Sequence, residues 1–336
     1  MNNLILFLIT AIFIDWLIGD PKQFLHPVEV IGWVINFTRI LIEKYSRGNI
    51  LFLKIGGLLL TFNIVIISGL TGWIIEQLSL SESNIISTIS SLVLLLLISS
   101  SIAARSLASS CLDVIHPIEN NYSYLDIQNS RKMLSNIVGR DTSNLKKQEI
   151  LRAVAETASE NAVDGIFAPL FWIFIGIMFW KVSLYLPGPL SFVLTFKASS
   201  TIDSMIGYKE GSLRWIGYTG AKLDDLMTWI PSRLVLITLP LVSRSWNLAP
   251  EIIKKAWKEG SKDESPNSGL SEAIFANCLK IRMGGENIYR GTKKYKPELG
   301  KNHPEANTRS IKKIILSIVK LQIFWLLLIV IINLST

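Results

Sequence analysis

Apolar residues in this chain fall into long blocks set apart by polar stretches. That pattern predicts helices, because blocks of this length exceed an ordinary strand. The blocks lie at 4–18, 51–75, 85–104, 163–186, 190–206, 230–242 and 314–334. A membrane-crossing helix needs about 20 mostly apolar residues. Blocks 51–75, 85–104, 163–186 and 314–334 meet that length, and 4–18 approaches it. Block 190–206 holds Lys197 and Asp203, and 230–242 is short. Residues 31–42 read as an amphipathic helix lying at the membrane surface. Asp15 lies inside the first block, where a carboxylate either serves function or snorkels to the interface.

Loop charge orients these blocks. The loop 76–84 holds two acidic residues and no Lys or Arg, whereas 105–163 holds seven Lys and Arg and 244–313 holds fifteen. Basic loops stay on the cytosolic side, which places both basic loops inside and the N-terminus outside. Parity then allows only one of 190–206 and 230–242 to cross. Taking 190–206 as the crossing segment, and 230–242 as re-entrant or interfacial, keeps 207–229 with the other cytosolic loops, 105–162 and 244–313. The expected fold is all-α: a polytopic helical integral membrane protein of about five to six membrane segments plus cytosolic helical loops, forming one membrane-embedded domain over 1–336.

Composition agrees. Hydrophobic residues make up 49% of the chain and the mean hydropathy is +0.39, too apolar for an ordinary soluble domain. The net charge of +8 fits positive-inside loops and attraction to anionic membrane lipid. No basic motif interleaved with aromatics supports a nucleic-acid partner. Two cysteines, Cys111 and Cys278, and three histidines are too few and too scattered for a zinc site; the thiols are expected to be free. The apolar start lacks a basic n-region and a cleavage site, and reads as a first membrane helix.

The chemistry-bearing residues are densest at 137–170. Gly139-Arg140-Asp141-Thr142 reads as a turn feeding a helix from about Leu145. That helix carries Arg152, Glu156 and Glu160 at i, i+4 and i+8, on one face. Asn161 and Asp164 extend the polar edge toward the membrane. A solvated face with i,i+4 ion pairs is the plainer reading. Against it, the carboxylates run up to an apolar segment, and an arginine-bearing loop at a helix N-terminus suits an anion. Three further clusters are polar. Lys197 and Asp203 share one apolar segment, as a structural pair or a functional one. Asp224 and Asp225 are adjacent carboxylates of a kind that suits Mg²⁺, though capping or surface roles fit as well. Arg282 precedes Gly284 and Gly285, offering a guanidinium and backbone amides to an anion, or a plain glycine turn. His26, before a proline, is a hydrogen-bonded structural residue or a ligand. Arginines, carboxylates and few nucleophiles together suit phosphoryl transfer or ligation.

Seven ordered motifs carry a resemblance. They are Gly-Asp-Pro-x4-His-Pro-Val-x2-Ile-Gly at 19–32, Ile-Val-Gly-Arg-Asp-Thr at 137–142 and Glu-Thr-x2-Glu-Asn-x2-Asp-Gly-x2-Ala-Pro-Leu-Phe at 156–171. Then follow Lys-Ala-x4-Asp-Ser-Met-x-Gly-Tyr at 197–208, Leu-Asp-Asp-Leu at 223–226, Ser-Pro-Asn-x-Gly at 265–269 and Arg-x-Gly-Gly at 282–285. Over residues 15–295 the chain resembles the CobD/CbiB family of membrane proteins, adenosylcobinamide-phosphate synthases of cobalamin biosynthesis. Ala155, Ala158 and Ser271 depart from the usual pattern without removing a charged group.

The resemblance implies an ATP-dependent acid–amine ligase in the bacterial inner membrane, with its active site facing the cytoplasm. It joins a propionate of adenosylcobyric acid, an adenosylated corrinoid, to (R)-1-aminopropan-2-ol or its O-phosphate. It also implies ATP and Mg²⁺, and other enzymes of cobalamin biosynthesis as candidate partners. Arg140, Asp141, Glu156, Glu160, Asn161 and Lys197 are the candidate catalytic residues, with Glu156 or Glu160 as proton acceptor. His26, Arg140, Arg152, Asn267, Arg282, Gly284 and Gly285 are the candidate substrate and phosphate ligands. Asp224 and Asp225, with Asp164 or Glu160, are the metal carboxylates, and Asp203 is a further candidate. Two rivals are a non-enzymatic relative of the AmpE type and a transporter of an anionic substrate. The complete carboxylate set argues against the first. The concentration of polar residues in loops, without an inverted repeat, argues against the second.

Overall fold

A computed structural model of the chain describes residues 2–19, 26–119, 122–243 and 246–335. Residues 20–25, part of the first motif, lie outside the described residues. The fold is all-α, with 77% helix and one small two-stranded sheet. Among the described residues five helices are long and apolar enough to cross a membrane: Ile50–Ser79, Asn84–Ile118, Lys147–Val182, Tyr218–Ser243 and Thr308–Ser335. Leu4–Ile18 is apolar but shorter.

Block 230–242 is the second half of Tyr218–Ser243, a 26-residue helix that runs through Pro231 and Pro240. The apolar pattern covers only that half, because 218–229 is polar. A proline within an apolar helix is tolerated where neighbouring groups take up the freed carbonyls. The helix Pro189–Ile206, expected to cross, has 18 residues and is not among the five.

The chain divides into two compact units, 1–103 with 168–228, and 104–167 with 229–336. Each unit is built from two pieces far apart in sequence, an arrangement no local pattern announces.

In the first unit, helices Pro27–Ser46, Ile50–Ser79 and Pro189–Ile206 share a core of Ile35, Ile42, Leu53, Leu60, Ile64, Ala198, Ile202 and Ile206. These recur at four- and seven-residue spacings, one face of each helix. Leu58, Leu59, Phe62, Ile66, Ile67 and Leu70 on the middle helix are exposed, as expected where the solvent is lipid. Small residues let helices approach closely; a Cβ on Gly72 would collide with the backbone of Ser191. One turn on, Glu76 is fully buried and accepts hydrogen bonds from the amides of Gly188 (2.7 Å), Leu190 (2.6 Å) and Ser191 (3.1 Å). It caps the N-terminus of Pro189–Ile206 from another helix. The sequence reading counts Glu76 only as loop charge.

The second unit holds helices Ala104–Ile115, Tyr124–Leu134 and Lys147–Ala162, then Ala249–Gly260, Ser268–Leu279 and Thr308–Ser335. A π-helical turn, Val163–Phe167, follows Ala162. The strands Met283–Tyr289 and Thr292–Leu299 form an antiparallel hairpin with a register shift between Met283 and Gly285. Neither cysteine is in a disulfide, and both are buried.

Candidate functional site

The second unit gathers most of the candidates. Glu156 lies on the inner face of Lys147–Ala162 and is 1% exposed. A carboxylate so deep must be paired. Its Oε2 accepts from Arg140 Nη2 and its Oε1 accepts from the Gly284 amide at 2.8 Å. Arg140 is itself buried, and its Nη1 donates to Asn287 Oδ1 at 2.7 Å. Arg152, one turn before Glu156, donates from Nη1 to the Gly284 carbonyl and from Nη2 to the Glu286 carbonyl (2.7 Å) and Asn287 Oδ1 (3.0 Å). Two arginines thus clamp the first strand onto the helix through Glu156 and Asn287.

Asp141 completes this clamp. Its amide donates to the Ile288 carbonyl at 2.8 Å, and its Oδ2 accepts from the Gly291 amide at 2.8 Å. It therefore holds the hairpin turn. Arg140 and Glu156 saturate each other, so Glu160 is the carboxylate of this face left partly exposed. Among the described residues its side chain makes no hydrogen bond. Asn161 is exposed and Asp164 lies in the π-helical turn.

Beside the clamp lies a cavity of about 290 Å³ lined by Arg152, Arg282, Gly284, Gly285 and four glutamates: Glu149, Glu286, Glu298 and Glu305. Gly284 and Gly285 have φ of +82° and +95°, a region that glycine enters without strain. Arg282 pairs with Glu305 at 2.5 Å. Arg140, assigned from sequence to phosphate, does not line the cavity; the outward guanidiniums are those of Arg152 and Arg282. Asn267, also buried, accepts from Arg233 Nη1 at 2.8 Å and Ser232 Oγ at 3.2 Å.

A second buried pair escapes sequence reasoning. Glu272, 1% exposed, accepts from Lys296 Nζ at 2.7 Å. Burial pushes the Glu272 carboxyl up to about 8; Lys296 opposes the rise, and Glu160 and Glu156 add to it. Burial also works against the Lys296 ammonium, but the carboxylates of Glu272, Glu160 and Glu156 outweigh it and hold it above the ordinary lysine range. The neighbouring Ser271 Oγ donates to the Ser159 carbonyl, docking Ser268–Leu279 at the Glu160 turn. A seven-residue spacing from Ser265 and a lysine in an exposed-looking strand give no periodic signal. Asn287 and Arg233 were equally hidden, because their partners lie 147 and 34 positions away.

The remaining candidates belong to the first unit. His26 caps Pro27–Ser46: its Nδ1 accepts from the Val28 amide at 3.2 Å and its Nε2 faces the Ser100 carbonyl at 3.1 Å. One neutral tautomer serves both, a structural arrangement. Lys197 and Asp203 lie on Pro189–Ile206, and Asp224 and Asp225 on Tyr218–Ser243. Asp225 pairs with Lys222 at 3.2 Å. Among the described residues no three His, Cys, Asp or Glu side chains gather as a metal site.

Apolar helices long enough to cross a membrane, with a buried arginine–carboxylate clamp on a helical unit, define a polytopic membrane protein with a polar candidate active site. The family described as CobD/Cbib protein matches residues 8–318. Similar proteins include the cobalamin biosynthesis protein CobD of Synechocystis sp., 40% identical over 85% of this chain and 79% of its own. The cobalamin biosynthesis proteins CbiB of Salmonella arizonae and Salmonella typhimurium are each 35% identical over 90% of this chain and 89% of their own. No solved structure matches. The chain belongs to the CobD/CbiB family, whose role is in cobalamin biosynthesis.

Proposed function

We propose that the protein is an ATP-dependent acid–amine ligase, joining a propionate of adenosylcobyric acid to (R)-1-aminopropan-2-ol or its O-phosphate. The observation that carries this reading is the cavity where Arg152, Arg282 and the Gly284–Gly285 stretch of the first strand meet. The Arg152 and Arg282 guanidiniums suit phosphate oxygens, and family membership supplies the corrinoid pathway. A carboxylate does not acylate an amine at neutral pH without activation. Its oxygen attacks the γ-phosphorus of ATP and ADP leaves, forming an acyl phosphate. The amine then attacks the carbonyl and phosphate leaves. Of the two protons the ammonium gives up, one goes to Glu160 and on to water, and one departs with phosphate.

Mg²⁺ enters with ATP as substrate. Asp224 and Asp225 suit it as a donor set, since Mg²⁺ takes one or two carboxylates and fills its shell with water and phosphate. Asp164 and Asp203 are further carboxylate candidates. The site faces the cytosol in this reading, on the ground that loops 105–162 and 244–313 are basic.

The test is an end-point assay on protein purified in detergent, given adenosylcobyric acid, either amine and MgATP, with products read by mass spectrometry. A corrinoid heavier by the amine minus water, requiring ATP, is the expected result. Folded protein that forms no such product with either amine overturns the reading.

A further inference from the structure

Along the first half of the last helix, Thr308–Ser335, a cavity of about 250 Å³ is lined by Lys313, Leu316, Ser317 and Lys320 together with Ser243, Cys278 and Leu279. Lys313 and Lys320 are seven residues apart, so they share one face of the helix and lie about 10 Å apart along its axis. Both are exposed on the protein surface. Among the described residues neither makes an ion pair, and the Ser317 hydroxyl makes no hydrogen bond. Their neighbour Lys312, by contrast, is paired with Glu119. Lys320 follows the apolar run Ile314–Ile315–Leu316, within a helix apolar enough to cross a membrane. A cation at that depth is costly unless it snorkels or meets an anion.

Two lysines and a hydroxyl, without partners among the described residues, face one cavity, and Leu279 and Leu316 supply its apolar lining. That is the chemistry of a phosphodiester with acyl chains attached, as basic pockets between membrane helices hold anionic headgroups. We infer that this cavity binds the headgroup phosphate of one anionic glycerophospholipid, with Lys313 and Lys320 as its cationic ligands and Ser317 as a hydrogen-bond donor. Leu279 and Leu316 lie against the glycerol and upper acyl carbons. The site is separate from the Arg152–Arg282 cavity and does not depend on the ligase reading.

Protein in a neutral detergent is examined by native mass spectrometry after addition of phosphatidylglycerol, of phosphatidylcholine, or of inorganic phosphate. One phosphatidylglycerol retained at least tenfold over phosphatidylcholine is expected, with that preference lost in K313Q/K320Q. Circular dichroism checks that the variant is folded. Should the double variant not fold, K313Q and K320Q, each at an exposed position, carry the test and should each weaken the preference. Equal retention of the two lipids, or undiminished phosphatidylglycerol in folded variants, overturns the inference. Displacement of the lipid by millimolar inorganic phosphate also overturns it, marking a site for a soluble anion.

Discussion

Arg140 and Glu156 neutralise each other in a setting nearly closed to water, with side chains 6% and 1% exposed. Each also reaches the first strand, Arg140 through Asn287 and Glu156 through the Gly284 amide. Removing one partner of such a pair leaves the other charged and buried, at a cost of about 3–5 kcal/mol. Arg140→Ala is therefore expected to lower the unfolding free energy in detergent by about that amount. Arg140→Lys keeps the charge but not the two-armed reach, and should cost less. The double variant Arg140→Met with Glu156→Met should recover part of the loss, since the buried pair leaves together while the Gly284 amide and Arg152 lose their carboxylate. An Arg140→Ala protein within about 1 kcal/mol of the parent would show that the pair does not hold the hairpin.

Glu272 gives the protein a pH-dependent term. Its carboxyl titrates near 8 when folded, against an ordinary 4.5. Between those values the folded chain holds a proton that the unfolded chain has released. Its contribution is thus complete below about pH 4.5 and is lost as pH rises toward 8. Lys296, held above its ordinary range, keeps its own contribution across this window. Glu272→Gln removes the titrating group while preserving its shape. The melting temperature of the parent should fall relative to Glu272→Gln between pH 5 and 8, read by thermal scans in matched buffers. Parallel curves would mean that Glu272 is ionised in the folded protein throughout.

The helical membrane class, the start of the helix near Leu145 and the shared face of Arg152, Glu156 and Glu160 were all legible in the sequence. Each rests on a periodicity within one segment. The partners of those residues were not. Asn287 meets Arg140 across 147 positions and Lys296 meets Glu272 across 24, and no local pattern encodes such pairings. By sequence, the Arg-x-Gly-Gly stretch suits an anion site or a turn. The first strand begins within it and pairs with Thr292–Leu299, a short hairpin whose polar residues lack a clean alternation. Block 230–242 is too short to cross by its apolar residues alone; the helix gains its length from the polar stretch 218–229, which no apolar pattern marks.

The two glycines of that stretch should not be equivalent. Both sit at positive φ, where a side chain costs about 1–2 kcal/mol. A Cβ on Gly284 would also collide with the Pro297 carbonyl, whereas one on Gly285 would meet only the movable end of Arg152. Gly284→Ala is expected to lose more stability than Gly285→Ala by about 1 kcal/mol or more, because the clash is with backbone and overpacking of that kind is costly. It should also loosen the Glu156 and Arg152 hydrogen bonds to Gly284 and reduce product formation in the ligation assay. Equal melting temperatures for the two variants would remove the hairpin backbone as the source of the constraint.

Glu76 carries the most concentrated burden in the first unit. Its two oxygens serve the amides of Gly188, Leu190 and Ser191, and the carboxylate lies at the positive end of the helix that follows. Glu76→Ala leaves those amides without an acceptor where no water replaces it. A buried donor left unsatisfied costs about 1–3 kcal/mol, so the variant should lose several kcal/mol or fail to accumulate as folded protein. Glu76→Gln retains one carbonyl oxygen but places an NH₂ against a donor, so its loss should be intermediate. Glu76→Asp keeps the charge and shortens the reach by one methylene. Its melting temperature separates the two contributions: near the Gln variant if the individual hydrogen bonds dominate, and near the parent if the charge at the helix end does. A Glu76→Ala protein with unchanged melting temperature would mean that Pro189–Ile206 is held by packing alone.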